Sequence, residues 1–151
     1  MKTLKPVALF AAVALSTSLA AACDDDDGID AGENTGSACA TADECYPDVA
    51  EGELAGEPIC MDIGDDGYCT HTCTDDADCC AAAGECSSGL AQLCAPFTSD
   101  PDTYCFLSCE AEDLPEGYEE NAYCQEYAHP AFNCRSTGGG SDNKKVCVPE
   151  G

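Results

Sequence analysis

The stretches CATADEC at residues 39–45 and CTDDADC at residues 73–79 decide the fold of this chain. In both, two cysteines enclose five residues, and a third cysteine follows the second at a distance of 15 residues. The first cysteines of the two stretches lie 34 residues apart. A period of roughly 20–50 residues is typical of a tandem array of structural units. The pattern therefore predicts a chain built from short cysteine blocks.

The last 14 of the 15 cysteines fall into three blocks, which span about residues 39–72, 73–108 and 109–151. The third block opens more loosely, with 15 residues from its first cysteine to its second. Cys80 and Cys86 are extra members of the second block, and we expect them to form a local pair. The cysteines predicted to form disulfides are Cys39, Cys45, Cys60, Cys69, Cys73, Cys79, Cys80, Cys86, Cys94, Cys105, Cys109, Cys124, Cys134 and Cys147.

Structural disulfides explain these cysteines better than a metal site does. The sequence contains no C-x2-C pair, which is the spacing common in zinc and iron–sulfur sites. A unit of about 35 residues cannot bury enough apolar surface to fold unaided, and bridges are the usual remedy. Four cysteines allow three connectivities within a block, and the sequence leaves that choice open. We expect seven bridges, no metal and no cofactor.

Each block is expected to end in a β-hairpin, because short β-prone runs flank turn residues there. A short helix is also possible at residues 77–85. The predicted fold class is a small disulfide-rich fold of short antiparallel hairpins and loops in three tandem cysteine blocks, with little helix. The expected strand pairs are residues 58–63 with 68–72, residues 93–97 with 103–107, and residues 132–135 with 145–148.

Residues 1–22 have the layout of a secretory signal peptide, with two lysines, an apolar stretch and three final alanines. The apolar stretch is too short to span a membrane. The leader resembles that of bacterial lipoproteins, which end in an apolar residue, two small residues and a lipidated cysteine, and this resemblance implies lipidation of Cys23. Three alanines separate Leu19 from Cys23 here, so ordinary cleavage and free secretion stay open as the alternative. Lipidation leaves 14 cysteines that can pair completely, whereas ordinary cleavage would leave an odd thiol.

Residues 23–38 are predicted to be the lipidated cysteine followed by a disordered acidic tether, because they contain almost no apolar side chain. The chain carries a formal charge of −25, and loss of Lys2 and Lys5 with the leader takes it to −27. Such a surface repels nucleic acid and anionic lipid headgroups, so we exclude nucleic-acid binding. An acidic surface could instead attract cations or basic partners.

The residue inventory argues against an enzyme. His71 and His129 are the only histidines, and both are expected to lie at the surface. Nucleophilic catalysis needs an activated group with a base beside it. No GxSxG motif is present, and every cysteine of the mature chain is expected to be oxidised. We therefore predict no catalytic residue.

Two groups of aspartates are candidates for calcium, because hard cations need several oxygen ligands in one place. No EF-hand loop fits either group. Solvated turn acids are the expected interpretation, and a calcium site is the alternative. The two groups are Asp62, Asp65 and Asp66 in the first hairpin, and Asp75, Asp76 and Asp78 at the start of the second block.

Residues 117–132 contain four of the aromatic side chains, Tyr118, Tyr123, Tyr127 and Phe132. Clustered aromatic residues can form a binding face for sugars or peptides. They more often form the core of a block with few cysteines. We favour a place in the core.

The leader, the tether, the two C-x5-C openings and the final VCVP at residues 146–149 together resemble small cysteine-rich lipoproteins of Gram-negative bacteria. The resemblance implies location and architecture, because most of those proteins lack an assigned activity. We expect an exported protein held at the outer membrane or cell surface by its lipid. Its expected role is that of a disulfide-stapled binding or structural module for an unknown envelope, extracellular or matrix partner. The alternatives are an extracellular protease inhibitor, with test loops at residues 90–97 and 136–145, and a calcium-dependent adhesin.

Overall fold

The computed structural model of the chain describes residues 34–63, 67–87, 89–97, 101–138 and 143–150. The predicted leader and its lipidation site lie outside these residues. In the part described, no helix is long and apolar enough to cross a membrane. The elements are β1 (Ala38–Cys39), β2 (Pro58–Asp62), β3 (Gly67–His71), β4 (Gln92–Pro96), β5 (Thr103–Leu107), α1 (Glu120–Tyr127), β6 (Phe132–Ser136) and β7 (Lys145–Pro149).

The three predicted hairpins are confirmed. Strand β2 pairs with β3, β4 with β5 and β6 with β7, all antiparallel, and β1 adds a short third strand to the first sheet. Each hairpin strand has five residues and carries a cysteine at its centre. These central cysteines lie opposite one another in the register, as Cys60 with Cys69, Cys94 with Cys105 and Cys134 with Cys147.

Opposed cysteines do not bond to each other. In every block the first cysteine bonds to the third and the second to the fourth, so both strands of the hairpin are tied to the segment that precedes them. The predicted local bridge between Cys80 and Cys86 is also present. The other six bridges are Cys39–Cys60, Cys45–Cys69, Cys73–Cys94, Cys79–Cys105, Cys109–Cys134 and Cys124–Cys147.

The short helix predicted at residues 77–85 is wrong. A single 3-10 turn, Asp76–Asp78, lies at its start and is followed by turns and bends. Cys80 has a φ of 66°, in the left-handed region that a continuing right-handed helix does not allow. The α-helix of the described chain is α1, in the third block.

The main apolar core lies where the three hairpins meet. The ring of Tyr68, on β3, has its centroid 4.8 Å from that of Phe132 on β6 and 6.3 Å from that of Phe106 on β5. Tyr123 of α1 is fully buried in the same cluster. The aromatic residues of the third block therefore belong to the core, as expected, with Tyr118 and Tyr127 packed at its margin.

Polar contacts join the hairpins at their edges. The hydroxyl of Thr70, on β3, donates a hydrogen bond of 2.6 Å to the carbonyl oxygen of Cys105. Isolated β-bridges also link Thr72 to Tyr104 and Ser108 to Val146. Blocks that share no disulfide are thus held together by a common core and by backbone pairing.

The end of the predicted tether is structured. Asn34 and Thr35 are buried, the amide of Gly36 donates to the carbonyl oxygen of Cys69, and Ala38 pairs with Tyr68. Backbone pairing therefore holds residues 34–38 in the first block, although the segment has almost no apolar side chains. Residues 23–33 lie outside the described part.

Candidate functional site

A histidine–glutamate pair is among the fully buried polar groups of the described chain. His71 ends β3, Glu85 lies in the loop closed by Cys80–Cys86, and both side chains are 0% exposed. The Nε2 atom of His71 lies 2.7 Å from Oε1 of Glu85. The expectation that His71 lies at the surface is wrong, because the second block covers this face of β3. His129 is half-buried.

All polar atoms of this pair have partners. Nδ1 of His71 lies 2.8 Å from the carbonyl oxygen of Thr72, so this nitrogen must donate. The carboxylate of Glu85 accepts backbone N–H groups from Cys80 at 2.5 Å and Ala82 at 2.9 Å. Two backbone N–H groups and one histidine nitrogen therefore surround the Glu85 carboxyl group. The arrangement is a buried pair whose hydrogen bonds are all made.

An aromatic residue closes the pair on one side. The Tyr46 ring meets the His71 ring edge-on at a centroid distance of 5.6 Å. The Tyr46 hydroxyl and the Thr35 hydroxyl form a hydrogen bond of 2.9 Å. Burial raises the pKa of Tyr46 well above its ordinary value. The His71 and Glu85 side chains are closed to solvent and their polar atoms are all hydrogen-bonded, which is the arrangement of a structural contact.

The acids of the C-x5-C openings cap their own turns. The Asp78 carboxylate accepts hydrogen bonds from the Thr74 hydroxyl and amide and from the Asp75 amide. These bonds, the one from the Thr74 hydroxyl foremost, hold the pKa of Asp78 below its ordinary value. In the first block Glu44 occupies the matching place and accepts from the Ala40 amide at 2.7 Å.

The remaining aspartates of the second calcium candidate are also engaged. Asp75 accepts from the Ala77 amide, and Asp76 accepts from the Cys94 amide and from the ammonium group of Lys144. Their oxygens serve the turn and the neighbouring hairpin. In the first candidate, Asp62 ends β2, and Asp65 and Asp66 lie outside the described residues.

The described chain contains four groups of side chains whose potential metal-ligand atoms lie within 4.8 Å of one another. Each group includes disulfide-bonded cysteines. Sulfur in a disulfide is not the thiolate that metals bind. The clusters are consequences of the bridge pattern.

One surface groove differs from the rest of this acidic molecule. It has a volume of about 300 Å³ and lies between the end of β4 and the face of the third hairpin. Its lining includes Arg135 and the apolar side chains of Phe97, Val146 and Val148, and none of the described residues that line it is acidic. Three other grooves, of about 620, 410 and 240 Å³, each include at least one glutamate or aspartate.

Arg135 differs from the two described lysines in having no charged partner. Lys144 forms an ion pair with Asp76 and Lys145 with Glu120, both at 2.5 Å. In the described residues Arg135 forms no ion pair and no side-chain hydrogen bond, and it is exposed. It therefore presents a free guanidinium group beside an apolar surface.

The two loops proposed for protease inhibition are described only in part. Residues 92–96 of the first loop are strand β4, in which Cys94 and Ala95 are buried and Pro96 is exposed. Residues 139–142 of the second loop lie outside the described part.

Comparisons with known proteins give no relative: no family model, no curated protein and no solved structure matches this chain.

Sequence reasoning missed Glu85 and Arg135. Glu85 looked like one more surface acid among 30 acidic residues, and only its place between Cys80 and Cys86 sets it apart. Arg135 carried a usable signal, because it is the single arginine of the chain.

Proposed function

We propose that this chain is a lipid-anchored binding or structural module displayed at the outer membrane or cell surface. Seven disulfides in a small module indicate folding in an oxidising, extracellular-type environment. The observation that carries the proposal is the threefold bridge pattern, which holds each hairpin to its own block. Such a scaffold keeps its shape without a large core and presents rigid surfaces.

We further propose that the module does not act as an enzyme. In support, the nitrogens of His71 are occupied by Glu85 and Thr72, and every described cysteine is in a disulfide. A nucleophile with an adjacent base is the minimum for covalent catalysis. Neither the inhibitor nor the calcium alternative has an observation that favours it.

The anchor is tested by the intact mass of the natively produced protein before and after reduction. We expect acyl chains on Cys23, with 14 further cysteines that are alkylated only after reduction. An unacylated mature chain with a free thiol would contradict the anchor.

The binding role is tested by chemical crosslinking on intact cells that produce the protein, followed by identification of the crosslinked chains. We expect the same envelope, extracellular or matrix protein in independent preparations. Repeated experiments that return no partner would contradict a binding role and leave a structural one.

A further inference from the structure

We propose that the groove beside Arg135 binds the carboxyl-terminal residue of a partner polypeptide, with the carboxylate at Arg135 and the side chain against the apolar wall. The proposal rests on the proposed function, because it specifies the partner chemistry of that binding module.

Charge supplies the first argument. Arginine offers N–H groups in a planar fork that matches a carboxylate, and such pairs are among the stronger hydrogen bonds. Arg135 has no acidic partner in the described chain, although acids outnumber lysine and arginine 30 to 5 overall. None of the described residues that line the groove is an acid that would compete with an incoming carboxylate.

The apolar wall supplies the second argument. Phe97 packs against Phe106 with ring centroids 5.9 Å apart, so one face of the groove is held in place. Val146 and Val148 lie on β7 opposite Arg135 and Asn133, and because both are buried they form the floor of the groove. The apolar side chains that a ligand can reach are those of Phe97, which is partly exposed, and Pro96, which is exposed. A volume of about 300 Å³ is at the lower end of ligand pockets and suits one or two apolar side chains.

The net charge of the molecule restricts the ligand further. A charge of −25 repels a strongly acidic peptide before it reaches the groove. A carboxyl-terminal apolar residue carries a single negative charge and places it within one residue of the side chain. Arg135 therefore attracts its carboxylate, and the net charge of the molecule repels it less than it repels a strongly acidic peptide.

The test uses the full, oxidised protein and two acetylated tetrapeptides that both end in leucine, one with a free carboxylate and one amidated. Dissociation constants are measured by NMR titration. We expect the free-acid peptide to bind about tenfold or more tightly than the amide, because a hydrogen bond to a charged group is worth that much.

Variants test the contribution of the Arg135 charge and that of the apolar wall separately. Arg135→Gln should abolish the preference for the free acid, whereas Lys145→Gln, which removes a positive charge already paired with Glu120, should keep it. Phe97→Ala should weaken both peptides to a similar degree. Intact seven-bridge mass confirms that each variant has folded.

Equal affinity for acid and amide, or an unchanged preference in Arg135→Gln, would overturn the proposal, and so would the absence of binding by either peptide. If neither peptide binds but crosslinking still returns a reproducible partner, the proposed peptide site in the groove is contradicted and the proposed binding function is not. If both experiments fail, both proposals fail.

Discussion

At the scale of single residues, the contact between His71 and Glu85 joins the first block to the second. No disulfide between described cysteines connects those blocks, so this buried, hydrogen-bonded pair takes part in holding them together. Loss of one partner leaves the buried polar atoms of the other unsatisfied, and loss of a buried ring also leaves a cavity.

His71→Ala should therefore lower the free energy of unfolding by about 3 kcal/mol, because it removes a buried hydrogen-bond partner of Glu85 and leaves a cavity. Guanidinium chloride unfolding with the disulfides intact measures it. His129→Ala is the matched control, since that ring is only half-buried, and we expect a change below about 1 kcal/mol. Equal effects of the two substitutions would show that the buried pair has no special role.

Thr74→Val should raise the pKa of Asp78 toward its ordinary value, because the Thr74 hydroxyl is the foremost cause of the lowering. Carboxyl-carbon NMR titration measures this. Since the folded-state pKa is lowered, the carboxylate adds stability above the pKa of the unfolded chain, and this is lost as pH falls through the folded-state value.

The variant should accordingly show a weaker loss of stability in acid. Thr41→Val, in the opening of the first block, is the control and should leave the Asp78 titration unchanged. A lowered Asp78 pKa that survives Thr74→Val would assign the effect to the backbone amides alone.

Residue-level prediction succeeded where a residue type has one dominant role. All 14 cysteines pair as expected, because an oxidised cysteine in a short exported chain has few other uses. Burial of His71 and Glu85 could not be foreseen, because it depends on how the second block packs on β3.

At the scale of elements, Gly67 decides whether the first sheet can form. It opens β3 between β1 and β2, and a Cβ atom there would lie 2.3 Å from the carbonyl oxygen of Cys39 and 2.3 Å from Sγ of Cys60. No real Cβ comes so close to backbone, so the sheet and its bridge must shift to admit one.

Gly67→Ala should sharply lower the yield of protein with the native seven bridges, measured by disulfide mapping after refolding. Gly52→Ala is the control. Gly52 has a φ of 84°, and a methyl group on its Cα would meet no atom within 4 Å, so only backbone strain of about 1–2 kcal/mol is expected there. A native bridge pattern in Gly67→Ala at normal yield would contradict this role.

The hairpins could be predicted, but the helix could not. Turn residues between two β-prone runs indicate a strand pair in the sequence, and this signal predicted all three hairpins. Helix α1 has no side-chain cap at Glu119, and a tyrosine and a cysteine are its buried residues, so its periodicity is weak. Residues 77–85 contain good helix formers, yet the bridges of Cys79 and Cys80 prevent a helix there.

At the scale of the whole molecule, self-repulsion is the main electrostatic effect. The net charge of −25 already includes the five lysines and arginines, and in the described residues two lysines form ion pairs with carboxylates. Repulsion between exposed acids opposes the folded state and is screened by salt.

The melting temperature should therefore rise when sodium chloride is increased from low to physiological concentration, as measured by calorimetry. Calcium chloride at equal ionic strength should have a similar effect. A distinctly larger rise with calcium would support the adhesin alternative, and a melting temperature independent of salt would contradict the repulsion argument.

The interlaced bridges also set how far the molecule can be stretched. A pulling force between Cys39 and Cys147 travels along the shortest covalent path, which crosses from Cys45 to Cys69, from Cys79 to Cys105 and from Cys109 to Cys134 and omits most of the first two hairpins. Each residue of extended chain adds at most about 3.5 Å, and the bridges leave only about a third of the residues on that path. If such a module were held at a cell surface and pulled by a partner, it would lengthen little. Most of the first two hairpins would carry no part of the pulling force.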